Sequence, residues 1–398
     1  AFYDVGEHNI CRLRGADWND ALDMASERGE SVAFTCAYAG NLLSLAELIY
    51  LLDERSPTHT TSLLEEVSIL LDHNPDTFSD IGKKKQLLSD YTDRCRHTVT
   101  GRHVSYSLRV LAENLAQKAY WLIEHLRTQE WIDIDSEEGW FNSYYDNHGR
   151  AVEGICNGHV RMMLTGQVFS IMSGTASNLQ IQKIIKSADH YLYKSEIGGY
   201  RLNTDFQELK FDMGRMFGFA YGEKENGAVF SHMTVMYANA LYRRGFAREG
   251  YKALKTLADT ALDFDTSHIY PGIPEYFRSD GRGMYAYLTG AASWFMMTMI
   301  TEVFGIRGEA GDLFLSPKLL AEQFDGEGCA SIRVPFAGKL LTVVYKNEFG
   351  KDFGSYRISL VVCDKDSFTA NENTFIRIPQ KTITALSGRE HRITVTLV

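Results

Sequence analysis

Apolar and polar positions fall into two textures along the chain. From Ser31 to Leu52, Val32, Phe34, Ala37, Tyr38, Leu42, Leu43, Leu45, Ala46, Leu48 and Ile49 recur at helical spacing around most of the circumference, which predicts a helix buried on more than one side. Leu63 to Leu71 predicts a second helix, with Thr60-Thr61-Ser62 ahead of it and Glu65-Glu66 at the positive end of its dipole. Val104 to Arg127 is long and amphipathic and predicts a third, and further helices are expected at 162–172, 177–192, 228–243, 248–261 and 291–304. Between them lie an acidic turn at 133–139, a hairpin or loop at 139–149 closed by Asp146 to Gly149, and an irregular Gly-rich stretch at 198–227. Helix pairs joined by long aromatic-rich connections suggest an α-solenoid or an α/α toroid, with the chemistry carried on the connections.

After Gly311 the period shortens. Ser331 to Val334, Leu340 to Tyr345, Ser355 to Cys363, Thr374 to Ile378 and Arg392 to Val398 are β-branched or alternating runs punctuated by Gly338, Gly350, Gly354 and Gly388. They predict a small all-β carboxy-terminal unit, sandwich-like, over 312–398, behind a helical unit over 1–311 and the linker Ser316-Pro317-Lys318.

Composition narrows the function. At 398 residues and 44% hydrophobic, the chain can bury a large core, and a net charge of −10 argues against binding a nucleic-acid backbone, so any anion site must be local. Six scattered cysteines without a Cys-x-x-Cys pair suggest neither a disulfide framework nor a zinc site, and point to a reducing, cytoplasmic setting with no metal. The start, Ala1-Phe2-Tyr3-Asp4-Val5, lacks the basic and apolar regions of a signal peptide. The most apolar helical stretch is read as 291–304, too short for a membrane span and broken by Glu302.

Four segments carry candidate chemistry. In Gly15-Ala16-Asp17-Trp18-Asn19-Asp20-Ala21, Asp20 is a potential proton donor and Trp18 a wall for a sugar ring, with capping of a helix at Ala21 as the even alternative. Gly222-Glu223-Lys224-Glu225-Asn226-Gly227 is a charged turn feeding a helix that carries His232, either a phosphate contact or a satisfied core histidine. Tyr287-Leu288-Thr289-Gly290-Ala291 offers backbone N–H groups and a hydroxyl to an anion, or simply close helix packing. Tyr270-Pro271-Gly272-Ile273-Pro274-Glu275-Tyr276 is a rigid aromatic turn with one carboxylate.

Taken in order, Asp17-Trp18-Asn19-Asp20, Gly139-Trp140-Phe141 with Tyr145-Asp146, Lys224-Glu225-Asn226-Gly227 followed by Phe230 and His232, and Thr289-Gly290 with Trp294 resemble the carboxy-terminal half of inverting glycoside phosphorylases of the cellobiose phosphorylase family, glycoside hydrolase family 94, and the related β-1,3-glucan phosphorylases. The resemblance implies an (α/α)6 barrel flanked by β-domains. It also implies Asp20 as general acid, Trp18 lining the glucosyl subsite, Lys224 on the acceptor sugar, and His232, Thr289 and Gly290 on inorganic phosphate as co-substrate, with no other cofactor. Glu275 is the nearest polar counterpart of a glutamine in the family and is taken as a substrate contact. The reaction implied is phosphorolysis of a β-1,3- or β-1,4-glucan oligosaccharide to α-glucose 1-phosphate, phosphate attacking in place of the water of an inverting hydrolase. The family's phosphate-binding arginine and a sugar-binding aspartate precede the Asp-Trp-Asn-Asp motif, so an amino-terminal half or partner chain completing the barrel is expected, with a homodimer as a further expectation. An inverting hydrolase on the same fold, or a non-catalytic glycan-binding fragment, are the competing readings.

Overall fold

The computed structural model describes residues 1–270, 272–286, 290–364 and 366–398. Among them the helices run in the order α1 (Val32–Arg55), α2 (Pro75–Ser79), α3 (Ile81–Cys95), α4 (Leu108–Gln129), α5 (Leu164–Met172), α6 (Asn178–Tyr191), α7 (Ser231–Arg243), α8 (Ala247–Leu262), α9 (Phe264–Ser267), α10 (Gly290–Thr298) and α11 (Gln380–Thr384). Helix α1 lies against α4 and α5, α5 against α7, and α7 against α8 and α10, so α1, α5, α7 and α10 form one row. Their sequences explain the arrangement. Helices α5 and α7 are apolar or small almost all round and are buried almost throughout, whereas α6 and α8 bury only one stripe. Side chains fix the ends: Ser31 accepts from the Phe34 N–H at 2.9 Å, and Ser177 with Gln180 forms a reciprocal cap on α6.

Several local expectations are corrected. The stretch expected as a helix at 63–71 is a strand, Thr60–Leu64, followed by a 3₁₀ helix, Glu65–Leu71, because the Thr-Thr-Ser run pairs with His103–Ser107 instead of capping. That pairing also delays the next helix to Leu108, capped by Ser107. Helix α3 escaped the pattern because it is strongly polar; Asp80 caps it by accepting from the Lys83 N–H at 3.0 Å. No helix begins at Ala21, so neither Asn19 nor Asp20 is a helix cap: the segment to Gly29 is irregular, pinned by Met24 N–H to Met213 O at 3.1 Å and Met216 N–H to Ala21 O at 3.1 Å. The 139–149 stretch does close at Asp146 to Gly149, where the Gly149 N–H donates to Asp146 O at 2.9 Å, but its earlier residues pair outward. Gly139–Phe141 pairs with Trp131–Asp133 across the acidic turn, and Tyr144–Tyr145 pairs with Glu30–Ser31, fastening the start of α1. The helix expected through 304 widens after Thr298 into a π-helix, Met299–Val303.

Past the helices a five-stranded sheet runs in the order 329–336, 339–347, 390–397, 358–363, 366–373, with one parallel pair between 339–347 and 390–397. A three-stranded sheet joins 306–309, 312–315 and 376–378, so Asp312 opens the second strand of a hairpin. The Tyr345 hydroxyl donates to Phe304 O at 2.6 Å, and the buried Lys318 to Glu302 pair at 2.8 Å ties the linker to the π-helix. By length and composition α1, at 24 residues, is long and apolar enough to cross a membrane; here it packs between α4 and α5. All six cysteines are free thiols.

Candidate active site

The Trp18 to Asp20 loop is built around the half-buried Asp17. Asp17 accepts from the Ser31 hydroxyl at 2.7 Å, from the Asn19 N–H at 3.0 Å and from the Tyr144 hydroxyl at 3.3 Å. Desolvation pushes its pKa above the ordinary carboxylate value against those donors. Asn19 is buried, and its side-chain oxygen accepts from the Ala21 N–H at 3.1 Å, an Asx turn that reverses the chain. Gly214 presses on the far side of that turn, where an added Cβ would stand 2.1 Å from Ala21 O. The loop thus presents Trp18 and Asp20 outward from a rigid base.

A three-stranded sheet assembles the rest: Val229–Phe230 pairs with Tyr276–Phe277, which pairs with Gly283–Met284. One small sheet therefore brings together the Lys-Glu-Asn-Gly turn, the start of α7 with His232, and the Pro-Glu-Tyr turn. The first of these is tightly specified. Asn226 donates to Phe219 O at 2.8 Å and receives Asn203 Nδ2 at 3.2 Å, and Gly227, at φ +79°, has the Tyr221 ring 2.2 Å from where a Cβ would be.

The result is a cleft of ≈ 360 Å³ lined by Trp18, Asn19, Asp20, Arg215, Phe219, Lys224, Glu225, Phe230, Glu275, Tyr276 and Tyr285. A larger hollow of ≈ 670 Å³, between the 3₁₀ helix Glu65–Leu71 and α3, contains no aromatic residue and lies among Asp72, Asp90, Asp93 and Arg94; the candidate chemistry gathers in the smaller one. In the cleft Asp20 is 82% exposed, with the Arg215 guanidinium 3.3 Å away. Arg215 also pairs with Asp23 at 2.5 Å, which fixes where it points. Lys224 extends over Phe219, 4.8 Å from the ring centre, and a hydrogen bond with Tyr285 holds its ammonium above the ordinary lysine value. The Tyr276 hydroxyl donates to Glu225 Oε1 at 2.8 Å, while Glu225 Oε2 is buried with no partner among the described residues.

His232 stands behind this wall. Its ring meets Trp18 at 5.3 Å and Trp294 at 5.8 Å between centres, and Gly290 lies against it so closely that a Cβ there would be 2.6 Å from Cε1. Burial lowers its pKa, which favours the neutral ring, and Nε2 is buried without a partner among the described residues. Trp18, Asp20, Lys224 and Glu275 therefore share one cleft, with His232 and Gly290 paired at its Trp18 side; Thr289 falls outside the described residues. Sequence reasoning missed Arg215, Phe219, Glu225, Tyr276 and Tyr285 as cleft residues. Glu225 was readable from its place in the charged turn, whereas Arg215 sits in the aperiodic 198–227 region with no local signal.

Residues 109–305 match the family model of the glycosyl hydrolase 94 superfamily catalytic domain. That stretch, about half of the chain, is similar to a glycosyl hydrolase 94 catalytic domain. The chain is similar to a cellobionic acid phosphorylase of Neurospora crassa, 28% identical over 49% of this chain and 25% of that protein. It is also similar to a solabiose phosphorylase of Paenibacillus borealis, 22% identical over 90% of this chain and 40% of the relative. A third relative is an N,N'-diacetylchitobiose phosphorylase of Vibrio proteolyticus, 22% identical over 79% of this chain and 33% of the relative. The chain thus spans a quarter to two fifths of the length of these curated relatives. A sialidase structure aligns over 95% of this chain and 30% of its own, at 10% identity and a TM-score of 0.49, too loose a likeness to argue from.

Proposed function

We propose that this chain carries the catalytic face of an inverting glycoside phosphorylase acting on short β-linked glucosides, of β-1,3 or β-1,4 linkage. The observation that carries the reading is the single cleft containing Trp18, Asp20, Lys224 and Glu275, with His232 and Gly290 packed against the Trp18 side. In this reading a glucosyl unit stacks on Trp18, and Asp20 protonates the glycosidic oxygen. Inorganic phosphate, received by the His232, Thr289 and Gly290 corner, attacks the anomeric carbon from the opposite side. The bond from that carbon to the leaving sugar breaks as a bond to phosphate oxygen forms, yielding an α-sugar 1-phosphate and a shortened sugar. Lys224 and Glu275 hold the leaving sugar. The neutral His232 ring, with an unspent Nε2, suits a hydrogen bond to a protonated phosphate oxygen. Relatives named for cellobionic acid, solabiose and diacetylchitobiose are all disaccharide phosphorylases by name, which favours a disaccharide over a long chain.

The helix row ends on exposed apolar side chains, Leu45, Leu48 and Leu52 along α1 and Met296 and Met297 on α10. We infer that helices from an amino-terminal half or a partner chain cover the Leu48 to Leu52 end of α1 and the α10 edge, leaving the Asn41 turn open, and close an (α/α)6 barrel. Glu275 in the same cleft as Asp20 keeps an inverting hydrolase as the second reading. Phosphate separates the two: the full-length enzyme with phosphate and a panel of β-linked disaccharides is expected to release sugar 1-phosphate. Equal yields of free glucose with and without phosphate would overturn the proposal in favour of hydrolysis.

A further inference from the structure

The far end of α7 carries a second cluster of charge, away from the cleft. Helix α7 has His232 in its first turn and Arg243 as its last residue, so the two are separated by about 17 Å along the axis at ~1.5 Å per residue. Arg243 borders a polar cavity of ≈ 370 Å³ shared with Glu302, Arg307, Glu309 and Lys318. Both carboxylates there are already engaged: Glu302 with Lys318 at 2.8 Å, and Glu309 with Arg307 at 3.0 Å and with Arg377 at 2.9 Å. Lys318 is largely buried, yet Arg243 and Arg307 are near enough to depress its pKa further, in addition to the dominant effect of burial. The Arg243 side chain makes no hydrogen bond or ion pair among the described residues. The cavity is thus a place where cations crowd one another and one guanidinium is left without an anion.

Arg243 also borders a second cavity of ≈ 300 Å³ lined by Asn41, Ser44, Ser173, Phe169 and Met172. A planar guanidinium flanked by a second arginine and a lysine is the donor set that phosphate oxygens satisfy best. The adjoining hollow adds hydroxyl and amide groups over an apolar floor, which suits the face and edge of a sugar ring. We propose that these adjoining hollows form a sugar-phosphate site distinct from the catalytic cleft, the phosphate held by Arg243, Arg307 and Lys318 and the sugar by Asn41, Ser44 and Ser173. The site joins α1, α5 and α7 to the π-helix and the β-hairpin, so its occupant braces the helix row against the carboxy-terminal sheets.

Calorimetric titration of glucose 6-phosphate, inorganic phosphate and glucose into the full-length protein tests this, using wild type, Arg243→Ala, Asn41→Ala and His232→Ala. Glucose 6-phosphate is expected to bind wild type and His232→Ala alike, to weaken at least tenfold in Arg243→Ala, and to weaken severalfold in Asn41→Ala, which leaves the affinity for inorganic phosphate at this site unchanged. Both Arg243 and Asn41 are exposed, and unchanged circular dichroism checks that each variant is folded. Undiminished binding by Arg243→Ala, or no binding by wild type, overturns the proposal. Loss in His232→Ala with retention in Arg243→Ala also overturns it, and places the ligand in the cleft, in keeping with the proposed catalytic role.

Discussion

Two aspartates three residues apart make opposite predictions. Asp17 is half-buried and satisfies the Ser31 hydroxyl, the Asn19 N–H and the Tyr144 hydroxyl, whereas Asp20 is 82% exposed and meets only Arg215 among the described residues. Truncating Asp17 to Ala leaves three donors facing a void, and an unsatisfied buried donor costs about 1–3 kcal/mol. The 3.3 Å contact to Tyr144 is the weakest of the three, and Ser31 cannot turn away freely because its oxygen already accepts from Phe34. A loss of about 3–5 kcal/mol is therefore expected for Asp17→Ala, a large share of a typical domain's ~5–15 kcal/mol. Asp17→Asn is expected to cost only about 1 kcal/mol. The amide fills the same space, its oxygen keeps the Asn19 N–H and Tyr144 hydroxyl bonds, the Ser31 hydroxyl can rotate to accept from its nitrogen, and the desolvation that raises the carboxyl's pKa is relieved. Asp20→Asn is expected to shift stability by less than about 0.5 kcal/mol, as exposed substitutions do, while lowering phosphorolysis by ~10²-fold or more. Urea unfolding followed by tryptophan fluorescence, with sugar 1-phosphate release by the full-length enzyme, reads both quantities. Asp17→Ala within 0.5 kcal/mol of wild type would refute the anchor reasoning, and an active Asp20→Asn would refute the assignment of the acid.

Gly290→Ala places a methyl group 2.6 Å from His232 Cε1, so it is expected to raise the phosphate KM at least tenfold while the fold survives, because Ala favours a helix by ~1 kcal/mol; an unchanged KM would separate His232 from phosphate. Tyr276→Phe removes the 2.8 Å bond to Glu225 and should raise the KM for the leaving sugar in the synthetic direction more than that for phosphate, measured by initial rates. Burial raises Glu130 from 4.5 to about 7, against hydrogen bonds from Tyr145 and Asn142. The folded state then holds that proton more tightly than the unfolded one, so the stabilising contribution is full below pH 4.5 and lost as pH rises through about 7. Relative to Glu130→Gln, wild type should lose up to about 3 kcal/mol between pH 4.5 and 8 in urea melts, and a flat difference would contradict the burial argument.

Helix and strand texture was legible because it is local: apolar spacing revealed α1, α5, α6, α7 and α8, and β-branched alternation revealed every strand of the five-stranded sheet except 366–373, together with strand 376–378 of its three-stranded neighbour. The motif residues Trp18, Asp20, Lys224, Glu275 and His232 were also readable, as residue types in order. Tertiary structure decided what each side chain is for. Asp17 and Asp20 differ only in which way a turn faces, and Asn19 together with Gly214, far away in the chain, sets that turn. Arg215 reaches Asp20 because the segment Met213 to Met216 hydrogen-bonds to Ala21 and Met24, a pairing with no periodic trace in the chain. Thr60 to Ser62 became a strand because a partner at His103–Ser107 completed its hydrogen bonds. Local composition sets which backbone shapes are cheap; burial and hydrogen-bond satisfaction between distant segments choose among them, and those choices built the cleft.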